Sequence, residues 1–241
     1  PTPARPPDPV RAVAKEQGKA PAPDPGMSER RTGGEVFGQF RILKRLGADA
    51  AGYTYKAKYM PKDLPVTLRV LSQEKMKQDP EYVKAFEQQV KKATDLKHQA
   101  IQRVVAGGRV HGRDFYAARY VEGISLKRIL EARGKVEIPF AVEIAIQLAE
   151  ALEYGHAHGL FHQEIRPSNI LITPERKALL VGYGVARDVM GNVRKLAEGG
   201  TEMPFYIAPE QVIAEGKEGK CDSRTDIYSL GVTLYHALTG E

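Results

Sequence analysis

Residues 161–172 read FHQEIRPSNILI, and this stretch decides how the rest of the chain is interpreted. His162 and Glu164 lie two positions apart, which could suggest a metal site. A zinc site of the common helical type needs a second histidine four residues further on, and neither that histidine nor a cysteine pair follows in the sequence. The spacing therefore favours a buried packing role for His162.

Two segments before this stretch have helical periodicity. Apolar side chains recur every three or four residues in SLKRILEARG (125–134) and in IPFAVEIAIQLAEALEYGHAHG (138–159). His156 and His158 near the end of the second segment point to different faces of a helix, so we expect surface or packing roles for them. The chain from residue 123 onward is predicted to be mainly helical.

The earlier part of the chain has the pattern of a sheet. Short β-branched and aromatic runs occur in FGQFRILKRLG (37–47), AGYTYKAKYM (51–60) and LPVTLRVL (64–71), and two more strands are predicted over 101–109 and 113–120. One helix is predicted over 80–97, where Val83, Phe86 and Val90 follow helical spacing. Five antiparallel strands plus one helix, followed by a helical part, define an α+β fold.

The sequence motifs follow one another in a characteristic order. LGADAAGYTYKA (46–57) and VTLRVL (66–71) precede the central stretch, and GYG (182–184), IAPEQ (207–211) and SRTDIYSLGVTLYHALTGE (223–241) follow it. In this order, residues 38–241 resemble a protein kinase domain and are most similar to the bacterial Ser/Thr protein kinases. The resemblance implies a two-lobed fold with an N-lobe over 36–122. It also implies a mainly helical C-lobe over 123–241 that is incomplete, truncated after the helix carrying Asp226.

The resemblance implies where a nucleotide would bind. Adenine in this family is held by hinge backbone groups, here around Arg119 to Val121, and Ala118 either closes the rear of that pocket or is an ordinary small strand residue. Asn169 is either the second metal ligand or a residue that hydrogen-bonds within its loop. The implied nucleotide-binding positions are Gly47, Gly52, Arg69, Arg119, Val121 and Asn169.

Three further positions match residues that have architectural roles in the family. Asp226 corresponds to a buried helix aspartate that hydrogen-bonds the backbone of the catalytic loop. His162 and Tyr183 occupy positions of the apolar stack that joins the lobes. The resemblance therefore implies that the scaffold of the fold is retained.

Several charged groups that kinases use for phosphoryl transfer are changed in this chain. The family's lysine is replaced by Arg69 and its helix glutamate by Gln89, so the ion pair between them is lost. Gly182 stands at the position of the metal-binding aspartate of the DFG motif. Asp49 replaces the middle glycine of the glycine-rich loop and adds negative charge where the triphosphate would lie.

The catalytic loop is changed as well. Glu164 stands at the position of the catalytic aspartate, and Arg166 at the position of the lysine that follows it. A carboxylate misplaced by about 1 Å can cost on the order of 10²-fold in rate. We therefore predict a pseudokinase that binds ATP weakly if at all and does not use magnesium. Its partner would be a protein, such as another kinase or a signalling protein.

Two alternatives remain open from the sequence. The chain could be an active Ser/Thr kinase that transfers the γ-phosphate of ATP to a protein, with Arg69, Glu164 and Asn169 in compensated positions. It could also be a structural module that only tethers domains.

Composition excludes several other classes of protein. The 36 basic and 30 acidic residues are interspersed, so the net charge of +6 indicates a solvated surface and no nucleic-acid partner. There is no run of about 18 apolar residues, hence no membrane segment in this sequence. The single Cys221 and the absence of a secretory apolar region indicate a cytoplasmic location. Eight of the 16 prolines fall within residues 1–35, which are predicted to be a disordered Pro/Ala-rich linker.

Overall fold

The structure, a computed structural model, describes residues 34–49, 52–78, 80–183, 204–213 and 221–241. The predicted linker over 1–35 lies outside these residues, except at positions 34 and 35. No helix in these ranges is both long enough and apolar enough to cross a bilayer.

The first lobe is built on an antiparallel sheet of six strands. The strands are β1 (Val36–Phe37), β2 (Phe40–Asp49), β3 (Gly52–Tyr59), β4 (Leu64–Leu71), β5 (Val104–Val110) and β6 (Arg113–Arg119). Their order in the sheet is β1-β2-β3-β4-β6-β5. The helices α1 (Gln73–Gln78) and α2 (Pro80–Ala93) connect β4 to β5.

This lobe has two short elements beyond those predicted from the sequence. β1 forms because Phe37 pairs with Phe40 across a tight turn and packs edge-on against Phe115, with ring centroids 5.7 Å apart. α1 is the other addition. α2 ends at Ala93, before the predicted position 97, because the chain turns there and buries Leu96 in the core of the second lobe.

The second lobe is mainly helical, as predicted. It contains β7 (Ile124–Ser125), α3 (Leu126–Arg133), α4 (Ile138–Ala157), β8 (Ile170–Ile172), β9 (Ala178–Leu180), α5 (Pro209–Ile213) and α6 (Ser223–Thr239). Strands β7, β8 and β9 form a small antiparallel sheet, and the side chain of Ser125 caps α3 by accepting from the amide of Arg128. The predicted two-lobed α+β architecture is confirmed.

Backbone hydrogen bonds connect the two lobes beside the motif at residues 182–184. The amide of Leu180 at the end of β9 donates to the carbonyl of Ala100 at 2.8 Å, and the amide of Gln102 donates back to the carbonyl of Leu180 at 2.9 Å. The segment leading into β5 is thereby fixed against β9. Because β9 ends only two residues before Gly182, this pairing sets the position of Gly182.

Tyr183 is buried in the second lobe over a glycine of α4. Its hydroxyl lies 3.5 Å from the carbonyls of Leu152 and Leu160, and its ring meets His162 edge-on at 5.3 Å. A Cβ added at Gly155 would overlap both the hydroxyl and the ring of Tyr183. Burial raises the pKa of Tyr183 above its ordinary value, so the hydroxyl stays protonated as a donor. Gly155 is therefore required by the way Tyr183 packs.

We expect Gly155→Ala to lower the free energy of unfolding by about 1–3 kcal/mol, the usual cost of overpacking a core. Shortening the opposing side chain removes the overlap, so Gly155→Ala combined with Tyr183→Leu is expected to cost less than the sum of the two single changes, by about 1 kcal/mol or more. Denaturant unfolding of the four proteins measures this coupling.

Gly231 of α6 provides a matched control, because it also lies within a helix but has nothing within 4 Å of an added Cβ. Gly231→Ala is expected to stabilise the protein by up to about 1 kcal/mol through helix propensity. Equal effects of alanine at the two glycines would contradict the packing role of Gly155.

Candidate functional site

The site is organised around Asp226, which α6 places in the interior with no exposed surface. Its carboxylate accepts hydrogen bonds from the amides of His162 at 2.8 Å and Gln163 at 2.6 Å. Gln163 has a φ of +62°, a left-handed conformation that non-glycine residues rarely adopt. The two hydrogen bonds hold the loop in this conformation, which is the role that the resemblance implied for Asp226.

His156 is a third partner of the same carboxylate. Its Nε2 lies 2.8 Å from Oδ2 of Asp226, and its side chain is 15% exposed. The sequence-based expectation of a surface or packing role for His156 did not include this contact. Helical spacing compares His156 only with its neighbours on α4, whereas its partner lies 70 residues away in the chain.

The loop held by Asp226 brings together three of the predicted site residues. Arg166 forms an ion pair with Glu164, with 3.0 Å between Nη2 and Oε1. The amide nitrogen Nδ2 of Asn169 donates to the backbone carbonyl of Glu164 at 2.8 Å. Asn169 thus hydrogen-bonds within its loop, which was one of the two roles that the sequence left open. Its amide oxygen would be the ligand atom if a metal bound here.

Gly182 lies beside this loop. Val181, the residue before it, donates its amide to the carbonyl of Asn169 at 3.0 Å, and Gly182 has a φ of +74°. Magnesium requires nearly octahedral oxygen coordination and is usually bound through one or two carboxylates. Gly182 contributes no side chain to this corner, and within the described ranges no cluster of three or more His, Cys, Asp or Glu residues could hold a metal. Of the two positions, only Asn169 offers a side-chain oxygen to a metal.

The predicted glycine-rich loop residues lie on the hairpin of β2 and β3. A Cβ at Gly52 would overlap the carbonyl oxygen of Val70, so this glycine is required by the close approach of β4. Gly47 pairs with Thr54 across the hairpin and has open space around it. The need for glycine at position 52 is therefore explained by strand packing, without a phosphate.

Arg69, at the position of the family's lysine, reaches along β3. Its Nη1 donates to the hydroxyl of Thr54 at 3.0 Å and to the carbonyl of Gly52 at 3.4 Å. Gln89, the predicted helix partner, is half-buried on α2 and carries no charge. One nitrogen of the guanidinium therefore donates to two groups of β3, the strand next to its own.

Of the predicted hinge residues, Arg119 ends β6 and Val121 lies two positions beyond it. The amide of Arg119 donates to the carbonyl of Arg103 at 2.8 Å, and the carbonyl of Arg119 accepts from Nε2 of Gln102 at 3.1 Å. Sequence reasoning missed Gln102. The available signal was one amide side chain, followed by Arg103, between the apolar residues of AIQRVV (100–105).

Most of the chain is similar to known protein kinases. A family model described as "Protein kinase domain" matches residues 40–241. The chain is 32% identical over 209 residues to the serine/threonine-protein kinase PknH of Mycobacterium tuberculosis, covering 86% of this chain and 32% of that protein. It is 29% identical to a probable serine/threonine-protein kinase of Clostridium perfringens, covering 86% of this chain and 30% of that protein. The chain thus spans about a third of the length of these relatives.

A solved structure has the same fold. The PknI kinase domain of Mycobacterium tuberculosis superimposes with a TM-score of 0.70 and is 28% identical, covering 86% of this chain and 77% of that chain. The match includes both lobes of the chain described above.

We expect Asp226→Asn to lower the free energy of unfolding by about 2–4 kcal/mol, because the new amide nitrogen would face groups that donate to the carboxylate. Chemical denaturation measures this loss. Asp222→Asn is the matched control on the same helix, where Asp222 caps α6 by accepting from the amide of Arg224. Asparagine caps helices as well as aspartate does, so this change should leave stability nearly unaltered. Similar losses in both variants would contradict the central role of Asp226.

Proposed function

The chain belongs to the protein kinase domain family, and we propose that it is a pseudokinase of the bacterial Ser/Thr type. In this proposal it acts in signalling by binding a protein partner, either another kinase or another signalling protein, and does not transfer phosphate. The observation that carries the proposal is Gly182, which lies next to the catalytic loop at the position where the family uses a metal-binding carboxylate.

The residues at the family's metal-binding positions are the first support for this proposal. Phosphoryl transfer depends mainly on positioning and on neutralising the charge of the phosphates, largely with metal ions. Asn169 offers a single neutral amide oxygen there, while its nitrogen donates to the carbonyl of Glu164. One neutral ligand is a poor substitute for the carboxylates that magnesium prefers.

Arg69, at the position of the family's lysine, also supports the proposal. The guanidinium of Arg69 donates to Thr54 and to the carbonyl of Gly52. A neutral Gln89 cannot form the ion pair that holds the family's lysine in place. These bonds hold the guanidinium of Arg69 against β3.

The catalytic carboxylate is also engaged within the protein. Glu164 is 16% exposed at its side chain and pairs with Arg166, which is 28% exposed. A general base must reach the substrate hydroxyl within hydrogen-bond distance. Glu164 has one methylene more than the aspartate it replaces, and its carboxylate is directed toward Arg166.

An active kinase is the second candidate, and one observation favours it. Glu164, Arg166 and Asn169 are assembled in one loop. The two relatives described above are also named as kinases. In this alternative, Arg166 would orient Glu164 toward a protein hydroxyl. The loss of the carboxylate at position 182 weighs against it.

For the full-length protein, ATP binding is expected to be weak and to change by less than about twofold when magnesium or manganese is added. The physical reason is that position 182 supplies no ligand to the metal. Thermal-shift titration with ATP, with and without each metal, measures the affinity because ligand binding to the folded state raises the unfolding temperature.

Two engineered proteins make this test sharper. The first carries Arg69→Lys, Gln89→Glu and Glu164→Asp, and the second carries the same three changes plus Gly182→Asp. Only the second is expected to gain metal-dependent ATP binding, by about tenfold or more. A wild-type dissociation constant below about 1 μM that requires magnesium would favour the active kinase.

A further inference from the structure

Gln102 occupies a central position between the two lobes. Its backbone amide donates to the carbonyl of Leu180 on β9 at 2.9 Å, and its neighbour Ile101 bridges to the same residue. Only 7% of Gln102 is exposed. Its side chain is therefore held close to the place where the hinge, β4 and β9 meet.

The carboxamide of Gln102 reaches the hinge. Nε2 lies 3.1 Å from the carbonyl oxygen of Arg119 and 3.5 Å from the hydroxyl of Thr67 on β4. A carbonyl can only accept a hydrogen bond, so the atom facing Arg119 must be the amide nitrogen. The hydrogen-bond pattern thus assigns the orientation of the side chain.

The surrounding strands place this contact behind the hinge. Thr67 of β4 and Val104 of β5 both pair with Ala118 of β6, the residue immediately before Arg119. Ala118 is buried and small. The amide of Gln102 therefore lies near Ala118, for which the rear of a base pocket was one of the two alternatives left open by the sequence.

This contact changes what the hinge offers to a ligand. The carbonyl of Arg119 is the first backbone acceptor of the hinge segment and already has a donor from within the protein. A base with an exocyclic amino group would have to share that acceptor or displace a buried amide, and displacing a buried polar group is costly. A base without the amino group loses nothing at this position.

We propose that Gln102 determines which purines bind at the hinge. By donating to the carbonyl of Arg119, Gln102 removes the preference for 6-amino purines over purines that lack this group. The ligand class is then the purine nucleoside in general. This inference rests on the weak, metal-insensitive nucleotide binding expected under the proposed function, and it adds which purine bases are bound.

Two nucleosides test the inference on the full-length protein: adenosine, and purine riboside, which lacks the 6-amino group. Wild-type protein is expected to bind the two with dissociation constants within about twofold of each other, as measured by calorimetric titration to millimolar concentration. Gln102→Met removes the donor and keeps the length of the side chain. In this variant adenosine is expected to bind about fivefold tighter, with purine riboside unchanged, because one hydrogen-bond acceptor is released.

Gln99→Met is the matched control, since Gln99 lies three residues earlier and is exposed. It should change neither affinity. A wild-type preference for adenosine of about tenfold or more would overturn the inference, and this comparison stands even if Gln102→Met fails to fold. A Gln102→Met variant that shifts both nucleosides alike would also overturn it.

The inference and the proposed function fail in different ways. Absence of binding by both nucleosides, in wild type and variant, overturns the specificity role of Gln102 and leaves a pseudokinase that acts through protein contacts alone. Phosphate transfer to a protein overturns the pseudokinase, whatever the ratio of the two nucleoside affinities.

Discussion

The buried carboxylate of Asp226 is the interaction on which the rest of the site depends. It accepts from two successive backbone amides of the catalytic loop and from the ring of His156. An uncompensated buried carboxylate is costly, so these donors stabilise the carboxylate as much as it orders the loop. With the loop held in this way, Glu164, Arg166 and Asn169 are brought together.

The polar groups around the site are engaged by the protein itself. Arg69 bonds to β3, Glu164 pairs with Arg166, and Gln102 donates to the hinge. In the core, the hydroxyl of Tyr183 occupies the space that Gly155 leaves on α4. Under the proposed function, this scaffold would serve protein recognition.

The order of motifs and the helical and strand periodicities were sufficient to predict the two-lobed fold and the role of Asp226. They could not predict β1, because a two-residue strand has no periodicity and forms only through the packing of Phe37 on Phe115. They also could not predict the contacts of His156 or Gln102, whose partners lie 70 and 17 residues away in the chain. Such contacts depend on tertiary structure, so a local pattern carries no signal for them.

The most direct test of the account is a phosphoryl-transfer assay on the full-length protein with labelled ATP, a generic basic protein substrate and either magnesium or manganese, run beside Glu164→Ala. The account predicts that the wild type and the variant are equally inactive. Loss of two stabilising groups at about 2–4 kcal/mol each would remove roughly 10³-fold or more from a kinase turnover of about 1–100 per second. Turnover near about one per second that disappears in Glu164→Ala would contradict the account and identify Glu164 as a working catalytic residue.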